Sequence, residues 1–291
     1  MNNQEFNPVK LTRSYSSPRT IFGLVMTGLT FTCAVLALLP LVTLLGYVVI
    51  QGGAKLSLDL FTQLPPPPMV TGGGFANALV GTLIMVGIAA LISVPIGVGS
   101  AIFLSEFGQG TRLADVIRFA SNVLSGVPSI IVGVFAYGVI VFTTKTYSAL
   151  AGGFALSILM LPIVVRSAEE SLKLVPQEIR QGSLGLGGTN FQTVTRVVLP
   201  AALPTIITGV TLAVARAAGE TAPLVFTALF TQFWSKSLWE PTASMAVLVY
   251  NFATVPFKNQ QELAWAASFV LVLLVLISSV ISRLATARKV Y

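Results

Sequence analysis

The chain alternates long neutral stretches with short charged clusters. No Asp, Glu, Lys or Arg falls within 20–54, 60–105, 119–144, 146–165, 197–215 or 263–282. A helix needs about 20 apolar residues to cross the hydrocarbon core of a bilayer. The pattern therefore predicts six membrane helices, at roughly 21–49, 78–104, 120–143, 148–168, 203–232 and 263–284. The first and fifth are long enough to tilt or to run past the lipid. A further neutral run, 241–257, is shorter, starting at Pro241 and nearly ending on Pro256. It predicts a re-entrant or surface-lying helix in an outer loop rather than a span. The expectation is an all-α integral membrane protein.

Four segments follow from this pattern. Residues 1–20 form a polar tail, 21–75 the first helix and an outer loop, 76–285 the main transmembrane domain, and 286–291 a second tail. The outer loop carries the run Pro65 to Pro68, which favours extended polyproline geometry. Gly72, Gly73 and Gly74 supply a flexible break after it. Pro95, Pro128, Pro162 and Pro223 fall inside predicted spans. Each frees a backbone carbonyl and can kink its helix.

Basic residues orient the bundle. Lys10, Arg13, Arg19, Arg112, Arg118, Lys173, Arg180, Arg196, Arg283, Arg288 and Lys289 fall on one side. Only Lys55, Lys145, Lys236 and Lys258 fall on the other. Short loops rich in Lys and Arg stay inside, so both termini are expected in the cytoplasm.

Composition narrows the chemistry. Apolar residues make up 54% of the chain and charged ones 9%, against about 25% charged in a soluble domain. The net charge of +7 is dispersed over short loops, which reads as orientation and not as a nucleic-acid surface. There is no histidine, which excludes histidine metal sites, histidine proton relays and a Ser-His triad. The single cysteine, Cys33, allows no intrachain disulfide. The first apolar stretch exceeds a signal-peptide core and no A-x-A site follows it, so a retained anchor is expected. No Gly-Lys pair occurs, hence no phosphate-cradling G-x-x-x-x-G-K-[ST] loop. ATP hydrolysis is not expected in this chain, nor is any catalytic or metal site.

The longest polar interruption contains QGSLGLGGTNFQTVTRVVLP, Gln181 to Pro200. Gln177 to Leu186 predicts one short helix and Phe191 to Leu199 another. Gly185, Gly187 and Gly188 permit a tight turn between them, and Leu199-Pro200 closes the second helix and opens the next span. Leu184, Leu186, Phe191 and Val194 offer apolar anchors for a groove in another protein. The alternative is an ordinary surface loop with an interfacial helix. The spacing Gly187-x9-Val197-x-Leu199-Pro200 resembles the cytoplasmic coupling loop of ABC importer permeases, whose pattern is Glu-Ala-Ala, three residues, Gly, nine residues, Ile-x-Leu-Pro. Gln181-Gly182-Ser183 stands where that family carries Glu-Ala-Ala. Glu178, three residues earlier on the same helical face, is the carboxylate that would replace the missing one.

Two arginines lie inside or at the edge of spans, where a charge is expensive and marks a cavity or an interior pair. One heads Arg166-Ser-Ala-Glu-Glu170, the other Arg216-Ala-Ala-Gly-Glu220. Each has a Glu at i+4, on the same helical face. Arg216 would lie about 20 Å along the fifth span, at 1.5 Å per residue. In one reading each Arg only neutralises its own Glu. In the other its guanidinium offers a planar fork to an oxyanion. Gly219 and Pro223 bracket Glu220 and Thr221 in an interrupted helix, the kind of place where transporters bind cargo. A tetrahedral oxyanion would there meet Arg216, the Thr221 hydroxyl and free backbone amides.

Ala215 to Leu224 (ARAAGETAPL), Leu161 to Pro176 (LPIVVRSAEESLKLVP) and Ser125 to Tyr137 (SGVPSIIVGVFAY) resemble the permeases of high-affinity phosphate importers. Met245 to Ala253 (MAVLVYNFA) resembles the A-type subunit of that family. The resemblance spans about 75–285. It implies a type I ABC importer permease fold with six transmembrane helices in a bacterial inner membrane. It implies a second homologous permease as heterodimer partner, a dimer of ATP-binding subunits carrying ATP and Mg, an extracytoplasmic phosphate-binding protein, and surrounding lipid. Arg166, Glu169, Glu170, Arg216 and Glu220 match the family's charged membrane positions. With Thr221 they make up the expected substrate pathway, and Glu178, Gln181, Gly187, Leu199 and Pro200 the expected ATPase-coupling residues. A sulfate or molybdate permease, an ion-driven carrier and a membrane scaffold without a pathway are the competing expectations.

Overall fold

The computed structural model describes residues 18–287, and the tail segments 1–17 and 288–291 lie outside them. Among the described residues all regular structure is helical. The chain divides into two units, residues 1–50 and 51–291. Most of helix α1 (Pro18–Gly53) makes up the described part of the first. Thr27, Thr30, Thr32 and Thr43 return their hydroxyls to carbonyls four residues back, so these polar groups are satisfied without solvent.

The second unit contains α2 (Ala76–Phe107), α3 (Arg112–Gly126), α4 (Ser129–Thr144), α5 (Ala149–Lys173), α6 (Gln177–Gly185), α7 (Asn190–Ala218), α8 (Ala222–Thr227), α9 (Met245–Thr254) and α10 (Lys258–Ala287). Helices α1, α2, α5, α7 and α10 are long and apolar enough to cross a membrane, and the bent pair α3–α4 supplies the sixth span if it is counted as one. Side-chain oxygens cap four of the starts: Thr111 for α3, Ser148 for α5, Thr189 for α7 and Ser244 for α9. Helix α5 lies at the centre, packed on α2, α7, α3 and α4. Its Leu156, Met160 and Val164 join Met85 of α2, Ala213 and Ala217 of α7 and Leu224 of α8 in the main core.

Two predicted spans change shape. The third, expected at 120–143, is broken at Val127-Pro128, where α3 and α4 meet at 105°. Proline forces the residue before it out of helical geometry, and Val127 is extended at φ −74° and ψ 127°. The fifth, expected at 203–232, instead begins at Asn190 and stops at Ala218. Leu199-Pro200 does not divide two helices. A π-turn at Val194–Val198 precedes it, and this widening accommodates the proline ring that would otherwise strike the carbonyl of Arg196. The second half of the predicted coupling segment is thus the first part of a continuous span.

The break expected around Glu220 and Thr221 is present. Gly219 and Glu220 donate to the carbonyls of Arg216 and Ala217, three residues back, tightening the last turn before the chain restarts at Ala222. The run 241–257 yields α9, and a surface-lying helix is not what forms. Met245, Val247, Leu248 and Phe252 are buried, most of them against Phe75, Ala78, Ala266 and Ala267. The outer loop is also less free than its glycines suggest. The Gly74 amide donates to the Leu64 carbonyl, and the Asn259 side chain donates to the Val70 carbonyl at 2.7 Å.

Candidate functional site

A cavity of about 460 Å³ opens where the α3–α4 break, α5 and the end of α7 converge. Pro162, Arg166 and Glu170 recur every four residues, so α5 turns one face to it. Arg216 and Glu220 close the opposite wall, and Ser125, Pro128 and Ser129 line the break. Two arginines fifty residues apart in sequence thus face one space, each accompanied by the Glu of its own motif.

The two pairs are not alike. Arg216 Nε lies 3.8 Å from Glu220 Oε1, beyond hydrogen-bond range, and its side chain is 70% exposed. Glu220 is only 18% exposed, but with no hydrogen bond formed the pair is loose, and the open side of the Arg216 guanidinium remains available to an anion. Arg166 does not use Glu170 as its partner. Its Nη2 donates to Asn122 Oδ1 of α3 at 3.1 Å, which leaves the Glu170 carboxylate free to face the cavity.

Two expected pathway residues lie elsewhere. Glu169 is buried on the other face of α5 and does not line this cavity. It accepts Arg118 Nε and Nη2 at 3.1 and 3.0 Å and Lys173 Nζ at 2.7 Å. One residue along a helix rotates the side chain by about 100°, enough to separate neighbours onto two faces. Thr221 is absent from the cavity lining as well. Its carbonyl accepts the amides of Leu224 and Val225, and it serves as the joint that starts α8. A smaller cavity of about 220 Å³ adjoins the Arg118–Glu169–Lys173 cluster, and Arg166 and Glu170 line both spaces.

The proposed coupling residues form a hairpin. Glu178 and Gln181 sit exposed on α6, whose Arg180 and Ser183 are only partly accessible. Gly187 turns the chain at φ +87°, where a residue with a Cβ is strained. The turn is locked by Gly188 N–H to the Ser183 carbonyl, by the Ser183–Thr193 hydroxyl contact at 2.9 Å and by a Thr189–Gln192 capping box. Leu184, Leu186 and Phe191 are exposed, whereas Val194 is buried and is no outer anchor. Leu199 and Pro200 belong to the interior of the α7 span.

The family model for the inner membrane component of binding-protein-dependent transport systems matches residues 93–290. The chain belongs to this family. A phosphate transport system permease protein PstA of Yersinia pestis is 41% identical over 86% of this chain and 84% of its own length. The Haemophilus influenzae PstA is 41% identical over 91% and 94%, and PstA 1 of Mycobacterium tuberculosis is 36% identical over 97% and 96%. Among solved structures, a bacterial alginate ABC transporter bound to its periplasmic protein aligns with a TM-score of 0.63 at 13% identity, over 95% of this chain and 98% of that one. The inward-facing MetNI methionine ABC transporter aligns at 0.61 and 19% identity, over 73% and 94%. The fold is that of a type I ABC importer permease, and the permease is a multi-pass membrane protein.

Sequence reading missed Glu106 and treated Arg180 and Arg118 only as orientation charges. Arg180 Nη2 lies 2.9 Å from Glu106 Oε1, with side chains only 13% and 9% exposed. The partners are 74 residues apart. The one signal available was Glu106 itself, the first charge after a neutral run of more than forty residues.

The placement of Glu169 makes a prediction. Glu169→Gln removes the charge that holds Arg118 and Lys173 together, but both cations retain access to water. The melting temperature of the purified permease should fall, with a cost of about 1–2 kcal/mol, while the KM for transported anion stays within about twofold. A KM shift as large as that of an Arg216 variant would return Glu169 to the pathway.

Proposed function

We propose that this chain is the transmembrane permease subunit of an ABC importer that moves inorganic phosphate into the cell. The observation that carries this is the convergence of Arg166 and Arg216 on one cavity, with Glu170 and Glu220 beside them. A guanidinium presents two parallel N–H donors that match a tetrahedral oxyanion. Four charges of balanced sign line the cavity, and the Arg216 side chain is 70% exposed. Such a site holds an anion briefly and lets it go. The relatives' names, phosphate transport system permease proteins, favour phosphate over sulfate or molybdate.

Transport works by alternating access. The membrane is the bacterial inner membrane, with both termini cytoplasmic, so the α6–α7 hairpin faces a dimer of ATP-binding subunits. ATP and Mg act there and not on this chain, which performs no covalent chemistry. A second homologous permease completes the pore, and an extracytoplasmic phosphate-binding protein delivers cargo. Closure of the ATPase dimer pulls on the hairpin and repacks α5 and α7, opening the cavity outward. Hydrolysis resets it inward. No nucleic acid takes part.

Labelled phosphate uptake into membrane vesicles tests the reading. Uptake should require a functional ATPase partner and persist in excess sulfate. Equal competition by sulfate would reassign the cargo to another oxyanion. Uptake that survives inactivation of the ATPase would make the protein an ion-driven carrier.

A further inference from the structure

We infer that Arg180, Glu106 and Arg118 form a polar relay that carries movement of the α6–α7 hairpin to the Arg166 wall of the anion cavity. This rests on the coupling role proposed above and names the residues that would execute it.

Helix α6 contains no buried residue, so polar contacts rather than a buried apolar face hold it against the spans. Ser183 meets Thr193 of α7, and Arg180 makes the links to α2 and α5. Its guanidinium donates from Nη2 to Glu106 Oε1 at 2.9 Å and from Nε to Glu106 Oε2 at 3.3 Å. It donates also to the Leu172 carbonyl at 2.8 Å and to the Val175 carbonyl. One side chain thereby ties α6 to the ends of α2 and α5. A forked guanidinium–carboxylate pair this well shielded is stiff, because both donors must break together for it to yield.

Glu106 stands on the π-turn Phe103–Phe107 that ends α2, a local widening of the kind often retained at working sites. The same turn makes the next link. Its Leu104 carbonyl accepts Arg118 Nη2 at 3.2 Å, and Arg118 grips Glu169 through Nε and Nη2. Glu169 adjoins Glu170 in sequence and lies less than one turn from Arg166, both of which line the anion cavity. Side-chain links between 2.9 and 3.3 Å and two short backbone steps thus run from α6 to the cavity wall.

The other arginine needs no relay, because Arg216 lies on α7, which is continuous with the second arm of the hairpin. Motion of the hairpin reaches Arg216 through a rigid rod and Arg166 through the polar chain. When the two routes move by different amounts, the guanidinium fork opens or closes, and with it the hold on the anion. An apolar cluster of Ala101, Ala168, Leu172, Val198 and Ile206 also joins α2, α5 and α7. That cluster provides a route that bypasses Arg180, so the relay must be tested by coupling and not by proximity.

The test uses the complete complex, purified with its partner subunits and reconstituted in liposomes. Inorganic phosphate uptake and ATP hydrolysis are measured together on Arg180→Lys, Glu106→Gln and the double variant, alongside complex yield and melting temperature. Arg180→Lys keeps the charge and loses the fork, which protects folding. Each single variant should lower phosphate imported per ATP hydrolysed by about tenfold, the scale of a typical coupling energy. The double variant should be no worse than the poorer single one, because both break the same link. An unchanged import-to-hydrolysis ratio, or losses that multiply in the double variant, would overturn the relay. Leu186→Asp on the exposed turn separates the two layers. If it abolishes uptake while Arg180→Lys leaves the ratio intact, only the relay fails. If it leaves uptake intact, the coupling role of the hairpin fails and the relay with it.

Discussion

Arg216→Ala is expected to reduce phosphate uptake about 10- to 100-fold, the value of one or two hydrogen bonds to a charged group, while the protein still reaches the membrane and assembles. Two effects add. The anion loses one of its two guanidinium partners, and the Glu220 carboxylate, no longer balanced, repels what arrives. Arg216→Lys should recover only part of the activity, because an ammonium keeps the charge but not the planar fork. The side chain is 70% exposed, so its removal costs little folding energy and the loss should appear as function, not stability. Uptake near the native level from a normally assembled Arg216→Ala complex would end the proposal that this cavity conducts the anion.

Gly133→Leu should abolish uptake with every charged residue intact. Gly133 lies on α4 where the backbone of Pro223 passes, and an added Cβ would meet Pro223 Cα at 2.7 Å. The obstacle is backbone at the very segment that sets Glu220, so it cannot rotate aside. Overpacking of this sort costs about 1–3 kcal/mol, and the strain would be relieved by pushing α4 away from the α7–α8 break. The cavity walls would separate. A lowered melting temperature together with lost uptake is the expected result. Native uptake by a stable Gly133→Leu protein would mean that the α4–Pro223 contact does not define the site.

Much of the site was legible in one dimension. Arg166 and Arg216 stood out because an arginine in a neutral run is costly, and both face the cavity. Glu170 and Glu220 followed from the i+4 spacing. The break after Ala218 followed from Gly219 and Pro223. Glu169 was misplaced because motif membership says nothing about which side of a helix a neighbour takes, and one residue of rotation turned it to Arg118. Thr221 was misplaced because an interrupted helix does not disclose which way its loose groups point. The Arg180–Glu106 pair was invisible, since its partners lie in segments joined only by folding.

The sequence by itself determined that the chain crosses a membrane, about how many times, that its backbone breaks near Pro128 and Gly219, and which charges are too costly to be accidental. These depend on local quantities: apolar run length, proline geometry and the cost of burying a charge. Only the tertiary structure decided that Pro128 turns a span by 105°, that a π-turn lets a helix run through Pro200, and that two distant arginines share one cavity. Those outcomes depend on which helix faces pack together, and that is a property of the whole bundle rather than of any window along the chain.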